Sequence, residues 1–134
     1  MGSASSVRSD QSYEKIVNVF QAIQQNKFKA AKKIMSSGVE INCINYVGAT
    51  PLIETCRSRH LPATEIGRNE FVRFLIELGC DVKRNDIHGW TAVLYAEENG
   101  HESIVEMLET CAIKKKKITR DQFPHELETI FEEV

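Results

Sequence analysis

The sequence lacks the features that mark cysteine-paired metal sites, membrane spans and strongly basic nucleic-acid-binding proteins. Its four cysteines form no Cys-x-x-Cys pair, so zinc with its usual two-ligand spacing is not predicted. We expect thiols in a reducing, cytoplasmic or nuclear compartment, with no metal or other cofactor. No apolar run reaches the ~18 residues that span a bilayer. Seventeen basic and 19 acidic residues give a net charge of -2, so we expect no nucleic-acid partner.

Catalytic constellations are also missing. His60, Thr64 and Glu65 are residue types that serve as general acids or bases, but their spacing does not fix them on one face. No nucleophile motif and no glycine-rich phosphate loop accompanies them. We therefore predict no enzymatic activity and no catalytic residue.

Two segments of the chain share a polar residue, a glycine, a threonine and an apolar run. They are NYVGATPLIETC at 45–56 and DIHGWTAVLYAE at 86–97. Gly48 and Gly89 supply the positive φ that a tight turn often requires. Thr50 and Thr91 stand where a side-chain oxygen caps a helix N-terminus, and Pro51 suits the first helical position. Each segment therefore predicts a turn, a cap and a helix.

A second helix is predicted after each of these segments. Residues 69–82 and 101–111 carry apolar residues at positions i, i+1 and i+4, which place them on one buried face. These residues are Phe71, Val72 and Leu75, then Ile104, Val105 and Leu108. Gly38, Gly79 and Gly100 are predicted to end helices in the left-handed conformation.

This turn, helix, loop and helix arrangement resembles the ankyrin repeat, whose usual period is about 33 residues. The last unit has D-x-x-G-x-T, then Ala, then G-H-x-x-I-V-x-x-L at family spacing. Residues 20–42 fit a first unit without the turn and Thr-Pro, as terminal repeats allow. Ile53 and Leu94 depart from the family, which has histidine at that place. The resemblance implies an all-α ankyrin-repeat solenoid of about three helix-turn-helix units.

The middle unit contains extra residues. Gly48 and Gly89 are 41 residues apart, about eight more than the family period. We assign the insertion to residues 59–68 and expect Pro62 to end the preceding helix near His60. A surface loop or short helical extension is expected there, with Arg57, Arg59 and Arg68 forming a basic rim. The segment around it is also similar to the ankyrin-repeat-domain-34 group, which implies no enzymatic role.

Beyond the repeats we predict three flanking segments. The domain boundaries are 1–11 for a flexible N-terminal segment, 12–111 for the repeats (12–44, 45–85 and 86–111), 112–118 for a basic linker and 119–134 for a C-terminal helix. Apolar residues from Leu127 to Val134 at three- and four-residue steps make this last helix amphipathic. It either caps the last repeat or docks into another protein, and the final Glu-Glu-Val also suits a carboxylate pocket.

The resemblance implies partner binding through the turn tips and the exposed face of the first helices. Carried over position by position, the partner-binding residues are Tyr46, Val47, Arg57, Ser58, Ile87, His88, Trp90, Glu98 and Asn99. Tyr46 and Trp90 are the expected anchors, because aromatic residues dominate interface hot spots. Trp90 has an alternative role in packing on the neighbouring turn. We expect an adaptor or an inhibitor-like binder of a protein partner, monomeric when alone.

The N-terminus raises a second hypothesis, a peripheral membrane tether. MGSASS matches the N-myristoylation pattern with Gly2 as the acceptor, although cloning also leaves such a start. One myristate binds weakly, and Lys114, Lys115, Lys116 and Lys117 would add attraction to anionic lipid. A run of this kind is alternatively a solvated linker.

Overall fold

The described part of the chain folds into six α-helices stacked in two layers. The computed structural model describes the backbone of residues 3–121 and the side chains of residues 13–112. The helices are α1 Ser3–Gln24, α2 Phe28–Ser36, α3 Pro51–Arg57, α4 Glu65–Glu77, α5 Ala92–Glu98 and α6 Glu102–Asp121, with a short 3-10 helix at Pro62–Thr64 before α4. Helices α1, α3 and α5 contact one another in order, as do α2, α4 and α6. Each predicted repeat therefore contributes one helix to each layer.

The core lies between these two layers. Phe71, Val72 and Leu75 on α4 are all buried, as their spacing predicts. On α6, Ile104 and Leu108 are buried, but Val105 is only half-buried. Burying one such side chain contributes about 1.5–3 kcal/mol. The hydrophobic contacts across the layers therefore hold the repeats together.

The two predicted N-terminal caps have different outcomes. Oγ1 of Thr50 accepts a hydrogen bond from the backbone N–H of Ile53 at 3.2 Å, so Thr50 caps α3. The side chain of Thr91 makes no such bond to α5. The backbone of Thr91 forms an isolated antiparallel β-bridge with Asn85. The predicted cap at Thr91 is therefore wrong. Gly38, Gly79 and Gly100 all have positive φ, as predicted.

The insertion is partly helical. α3 ends at Arg57, three residues before the predicted end at His60, because the N–H and the Oγ of Ser58 both bond to the carbonyl of Thr55. After the 3-10 helix, α4 begins at Glu65. The last four residues of the 59–68 segment are thus the first turn of α4, and the short helical extension named as an alternative is present.

Both flanking segments have a helical backbone where the structure describes them. α1 already begins at Ser3, and α6 continues without a break through residues 112–118 to Asp121. No glycine or proline lies between Gly100 and Pro124, and alanine and lysine have high helix propensity, so nothing in that stretch ends the helix. Most of the predicted C-terminal helix, residues 122–134, lies outside the described residues.

The two turn glycines provide a matched test of backbone strain. Gly48 has φ +74°, and a Cβ there would lie 3.3 Å from the backbone nitrogen of Ile87. Gly89 has φ +79° with open space around it. Gly89→Ala should lower the free energy of unfolding by about 1–2 kcal/mol through its φ alone, and Gly48→Ala should lower it further. Urea denaturation measures both, and equal losses would contradict the predicted close contact.

Candidate functional site

Two stacked turns carry the most exposed apolar side chains of the predicted binding surface. Oδ1 of Asn45 accepts hydrogen bonds from the N–H groups of Val47 and Ala49, at 3.1 and 3.0 Å. Oδ1 of Asp86 does the same for His88 and Trp90, at 2.9 and 3.1 Å. Each turn is therefore closed by the side chain of its first residue, which fixes the direction of the tip.

A backbone hydrogen bond joins the two turns. The N–H of Ile87 donates to the carbonyl of Val47 at 3.0 Å. The tips project into solvent, where Tyr46 is 91% exposed and Ile87 is 68% exposed. The two apolar side chains thus stand on adjacent turns of a fixed backbone.

Trp90 packs within its own repeat. Its ring lies 5.1 Å from the ring of Tyr95 on α5, measured between centroids, and the side chain remains 38% exposed. The hydroxyl of Tyr95 donates to Oδ2 of Asp86. Burial and this hydrogen bond raise the pKa of Tyr95 to about 12. Trp90 therefore supports its turn from the α5 side and still offers part of its ring to solvent.

Asp86 is the charged centre of the second turn. Burial opposes its ionised form, but hydrogen bonds from Tyr95 and from the N–H groups of Trp90 and His88 outweigh burial and lower the pKa of Asp86. The guanidinium of Arg57 lies 5.4 Å from the centroid of the Tyr95 ring. The carboxylate thus stays charged at neutral pH and is committed to the turn, so it is not free to act as a general base.

The ends of α3 and α5 are tied together by side chains. Nδ2 of Asn99 donates to the carbonyls of Cys56 and Tyr95, at 3.2 and 2.9 Å. Nε2 of His101 donates to the carbonyl of Ser58 at 2.7 Å. Burial lowers the pKa of His101, which favours the neutral ring. These bonds join the middle and last repeats beside the insertion.

Arg68 is buried, contrary to the exposed basic rim expected from the sequence. Its Nη2 donates to the carbonyl of Arg59 at 2.7 Å and to Oγ1 of Thr64 at 3.0 Å. Its Nε donates to Oγ of Ser58 at 3.0 Å. The guanidinium also lies 5.5 Å from the centroid of the Phe28 ring. Ser58 and Arg59 lie at the start of the insertion, and Thr64 lies just before α4. Arg68 therefore holds both of these points against the core.

This burial has an electrostatic cost. Loss of hydration lowers the pKa of the Arg68 guanidinium, and its Nη1 is buried without a hydrogen-bond partner among residues 13–112. Hydrogen bonds to a charged donor contribute more than neutral ones, about 1.5–3 kcal/mol each. The remaining bonds offset the cost, so the insertion is an anchored segment rather than a free loop.

The pattern of paired helices and stacked turns is shared with a known family. Residues 19–119 match the family model described as ankyrin repeats, three copies. This chain belongs to the ankyrin-repeat family. The predicted family and the all-α solenoid are therefore confirmed. Ankyrin repeats are in general protein–protein interaction modules and not enzymes.

Similar ankyrin-repeat proteins come from animals and plants. The chain is 32% identical over 93 residues to the mouse protein "Ankyrin repeat and SAM domain-containing protein 6", covering 68% of this chain and 10% of that protein. It is 31% identical over 83 residues to the Arabidopsis thaliana "Potassium channel AKT1", covering 62% and 9%. It is 32% identical over 76 residues to the Arabidopsis "E3 ubiquitin-protein ligase XBAT33", covering 56% and 13%. The chain thus spans only about a tenth of each relative.

The ankyrin register explains the position of Arg68. Gly67-Arg68 precedes Phe71-Val72 by the same spacing at which Gly100-His101 precedes Ile104-Val105. Arg68 therefore occupies the helix-start histidine position of the ankyrin repeat, and the eight extra residues are 59–66. This match of Gly67-Arg68 to Gly-His was the signal in the sequence that the assignment of 59–68 missed.

The predicted partner-binding residues fall into two groups. Tyr46, Ile87, His88, Trp90 and Glu98 are exposed, and Val47, Arg57, Ser58 and Asn99 are half-buried. In the second group the polar side chains already bond within the chain, since Arg57 pairs with Glu54 at 3.3 Å and Ser58 and Asn99 make the bonds given above. The exposed group is therefore the solvent-accessible part of the predicted surface.

Three further observations concern the reactivity of the cysteine thiols, possible metal ligands and membrane-spanning helices. Burial raises the pKa of Cys43 to about 11 and raises that of Cys56 further, so both thiols are poor nucleophiles at neutral pH. Among the described residues, no His, Cys, Asp and Glu cluster suited to a metal ion is found. In that same part of the chain, no helix is long and apolar enough to cross a bilayer.

Proposed function

We propose that this chain is a protein-binding module, acting as an adaptor or inhibitor and not as an enzyme. The observation that carries the proposal is the pair of exposed apolar tips, Tyr46 and Ile87, held on adjacent turns by the Ile87–Val47 hydrogen bond. Apolar side chains on a rigid backbone lose little conformational entropy on binding, which favours affinity. The exposed part of Trp90 extends this surface toward α5.

The residues of the proposed partner surface differ in how much each is expected to contribute to binding. Tyr46 is the first anchor, because it is the more exposed of the two tips and aromatic residues dominate hot spots. Trp90 is second, because its packing on Tyr95 leaves only part of the ring for a partner. His88 and Glu98 border the surface and would adjust specificity rather than affinity.

Removing both tips tests the proposal. The double variant Tyr46→Ala/Ile87→Ala should bind the partner at least about tenfold more weakly, since each hot-spot truncation costs more than about 1 kcal/mol of binding free energy. Thermal stability should stay close to that of the parent, because exposed positions contribute little. Affinity capture with mass spectrometry identifies the proteins bound by the parent and lost by the variant.

The matched control removes two exposed apolar residues elsewhere. Ile66 and Leu78 are 75% and 51% exposed at or next to α4, so Ile66→Ala/Leu78→Ala should keep the same captured proteins. If both double variants retain every protein that the parent binds, the turn tips are not the binding surface.

The membrane-tether hypothesis stays a prediction. It depends on Gly2 and on the side chains of Lys114–Lys117, which lie outside the described side chains. Mass spectrometry of the native N-terminus decides whether Gly2 is acylated.

A further inference from the structure

The outer face of the last repeat has no neighbour among the described residues. Ile53 and Leu94 occupy the same repeat position, yet Ile53 is 1% exposed and Leu94 is 42% exposed. Val72 and Val105 likewise share a position, and Val72 is buried whereas Val105 is half-buried. In both pairs the middle-repeat residue is covered by the following repeat. The last repeat therefore presents apolar side chains that a further element would bury.

A groove with an acidic border runs along this face. It has a volume of about 310 Å³ and lies between α5 and α6, with Ala96 and Val105 among the residues that line it. Its charged residues are Glu97, Glu102, Glu106 and Glu109. All four are exposed, and none forms an ion pair within residues 13–112. The groove thus favours an occupant that is both apolar and basic.

Helix α6 itself contains the complementary charges. Its first half, residues 102–111, has three glutamates and no basic residue, whereas residues 112–121 have four lysines, one arginine and one aspartate. With 3.6 residues per turn, Lys116 and Arg120 fall on the same helix face as Glu102, Glu106 and Glu109. One face of α6 is therefore acidic at its start and basic at its end.

This pattern is symmetric about residue 111. Glu102 precedes that position by nine residues and Arg120 follows it by nine, while Glu106 and Lys116 stand five residues on either side. Two such helices laid antiparallel would match Glu102 and Glu106 of one copy with Arg120 and Lys116 of the other. A self-complementary patch of this kind is what a two-fold symmetric dimer requires.

We propose that two copies of this chain associate through an antiparallel contact between their α6 helices. The basic second half of each α6 occupies the acidic groove of the other copy, and the apolar residues near Val105 and Leu94 become buried. The charges set the orientation of the pair, and apolar burial adds affinity. This contact lies on the last repeat, so it does not depend on the proposed partner surface at the turns.

Other occupants fit the groove less well. Residues 122–134 contain four glutamates and no lysine or arginine, so their charge opposes contact with the four glutamates of the groove. The lysines of the same copy lie further along one continuous helix, which prevents them from folding back onto it. A second copy places the basic half against the groove without bending α6. The proposed dimer therefore replaces the monomer that was expected from the sequence.

Charge exchange tests the dimer with the full chain. One variant is Glu102→Lys/Glu106→Lys and the other is Lys116→Glu/Arg120→Glu. We expect the parent to dimerise at about 100 µM protein in 50 mM NaCl and to dissociate in 500 mM NaCl, because salt screens exposed charges. Each variant alone should be monomeric, and an equimolar mixture of the two should form a heterodimer, since both pairs of facing charges are then restored.

Analytical ultracentrifugation measures all four samples, and circular dichroism verifies that each variant is folded. A parent that is monomeric at every concentration overturns the proposal, even if it binds anionic vesicles or a basic peptide. A dimer that survives in both single variants, or a mixture that stays monomeric, overturns it as well.

Discussion

Replacing Arg68 with alanine is expected to lower the free energy of unfolding by about 2–4 kcal/mol. The change removes the donors that satisfy the carbonyl of Arg59 and the hydroxyls of Ser58 and Thr64. A fully buried acceptor left without a partner costs about 1–3 kcal/mol. These acceptors are only partly buried, so access of water and relief from burying the guanidinium both offset part of this. Urea denaturation followed by circular dichroism gives the difference from the parent.

Two companion variants separate the hydrogen bonds from the charge. Arg59→Ala removes an exposed arginine of the same insertion, so it should change stability by no more than about 0.5 kcal/mol. Arg68→Lys keeps the charge but lacks the planar set of donors, and it should recover only a small part of the loss. An Arg68→Ala protein as stable as the parent would show that the insertion is not anchored by this side chain.

The second large effect is expected at Ile53. Ile53→Ala should cost about 2–5 kcal/mol, because the side chain is buried between the middle repeat and its neighbours and the change leaves a cavity. Proteins of this size have only about 5–15 kcal/mol of stability in total. Thermal and urea denaturation should both show a much weakened fold.

Leu94 is the natural control, because it holds the equivalent position in the last repeat and remains exposed. In dilute, high-salt solution, Leu94→Ala should cost less than about 1 kcal/mol. Similar losses at Ile53 and Leu94 would indicate that something covers the last repeat under those conditions.

The sequence predicted the fold well because its signals are local. Gly48 and Gly89 need positive φ, Pro51 suits a helix start, and the apolar spacing of Phe71, Val72 and Leu75 defines one face of α4. Each of these features depends on residues only a few positions apart. The repeat period then converted local signals into a stack, so family and architecture followed without any long-range information.

The site was less predictable because its contacts are distant along the chain. Arg68 bonds to Asn26 at 3.5 Å across 42 residues. The match of Gly67-Arg68 to Gly100-His101 distinguishes the position of Arg68 from that of the exposed Arg59, but it does not indicate which side chains Arg68 contacts. Trp90 was expected to serve at an interface or to pack on the neighbouring turn; its ring packs on Tyr95 of its own repeat, and the interface role stays a prediction. Side-chain direction, which residue spacing does not determine, decides such cases.

The bonds around Ser58 have a consequence for how the protein unfolds. Repeat proteins often lose their units one at a time, because each unit contacts only its neighbours. Here Arg68 connects the first repeat, through Asn26, to Ser58, and His101 of the last repeat bonds to the carbonyl of the same Ser58. All three repeats thus share one polar junction. Fraying of either end disturbs the junction that holds the other, so we expect this short array to melt as a single cooperative unit.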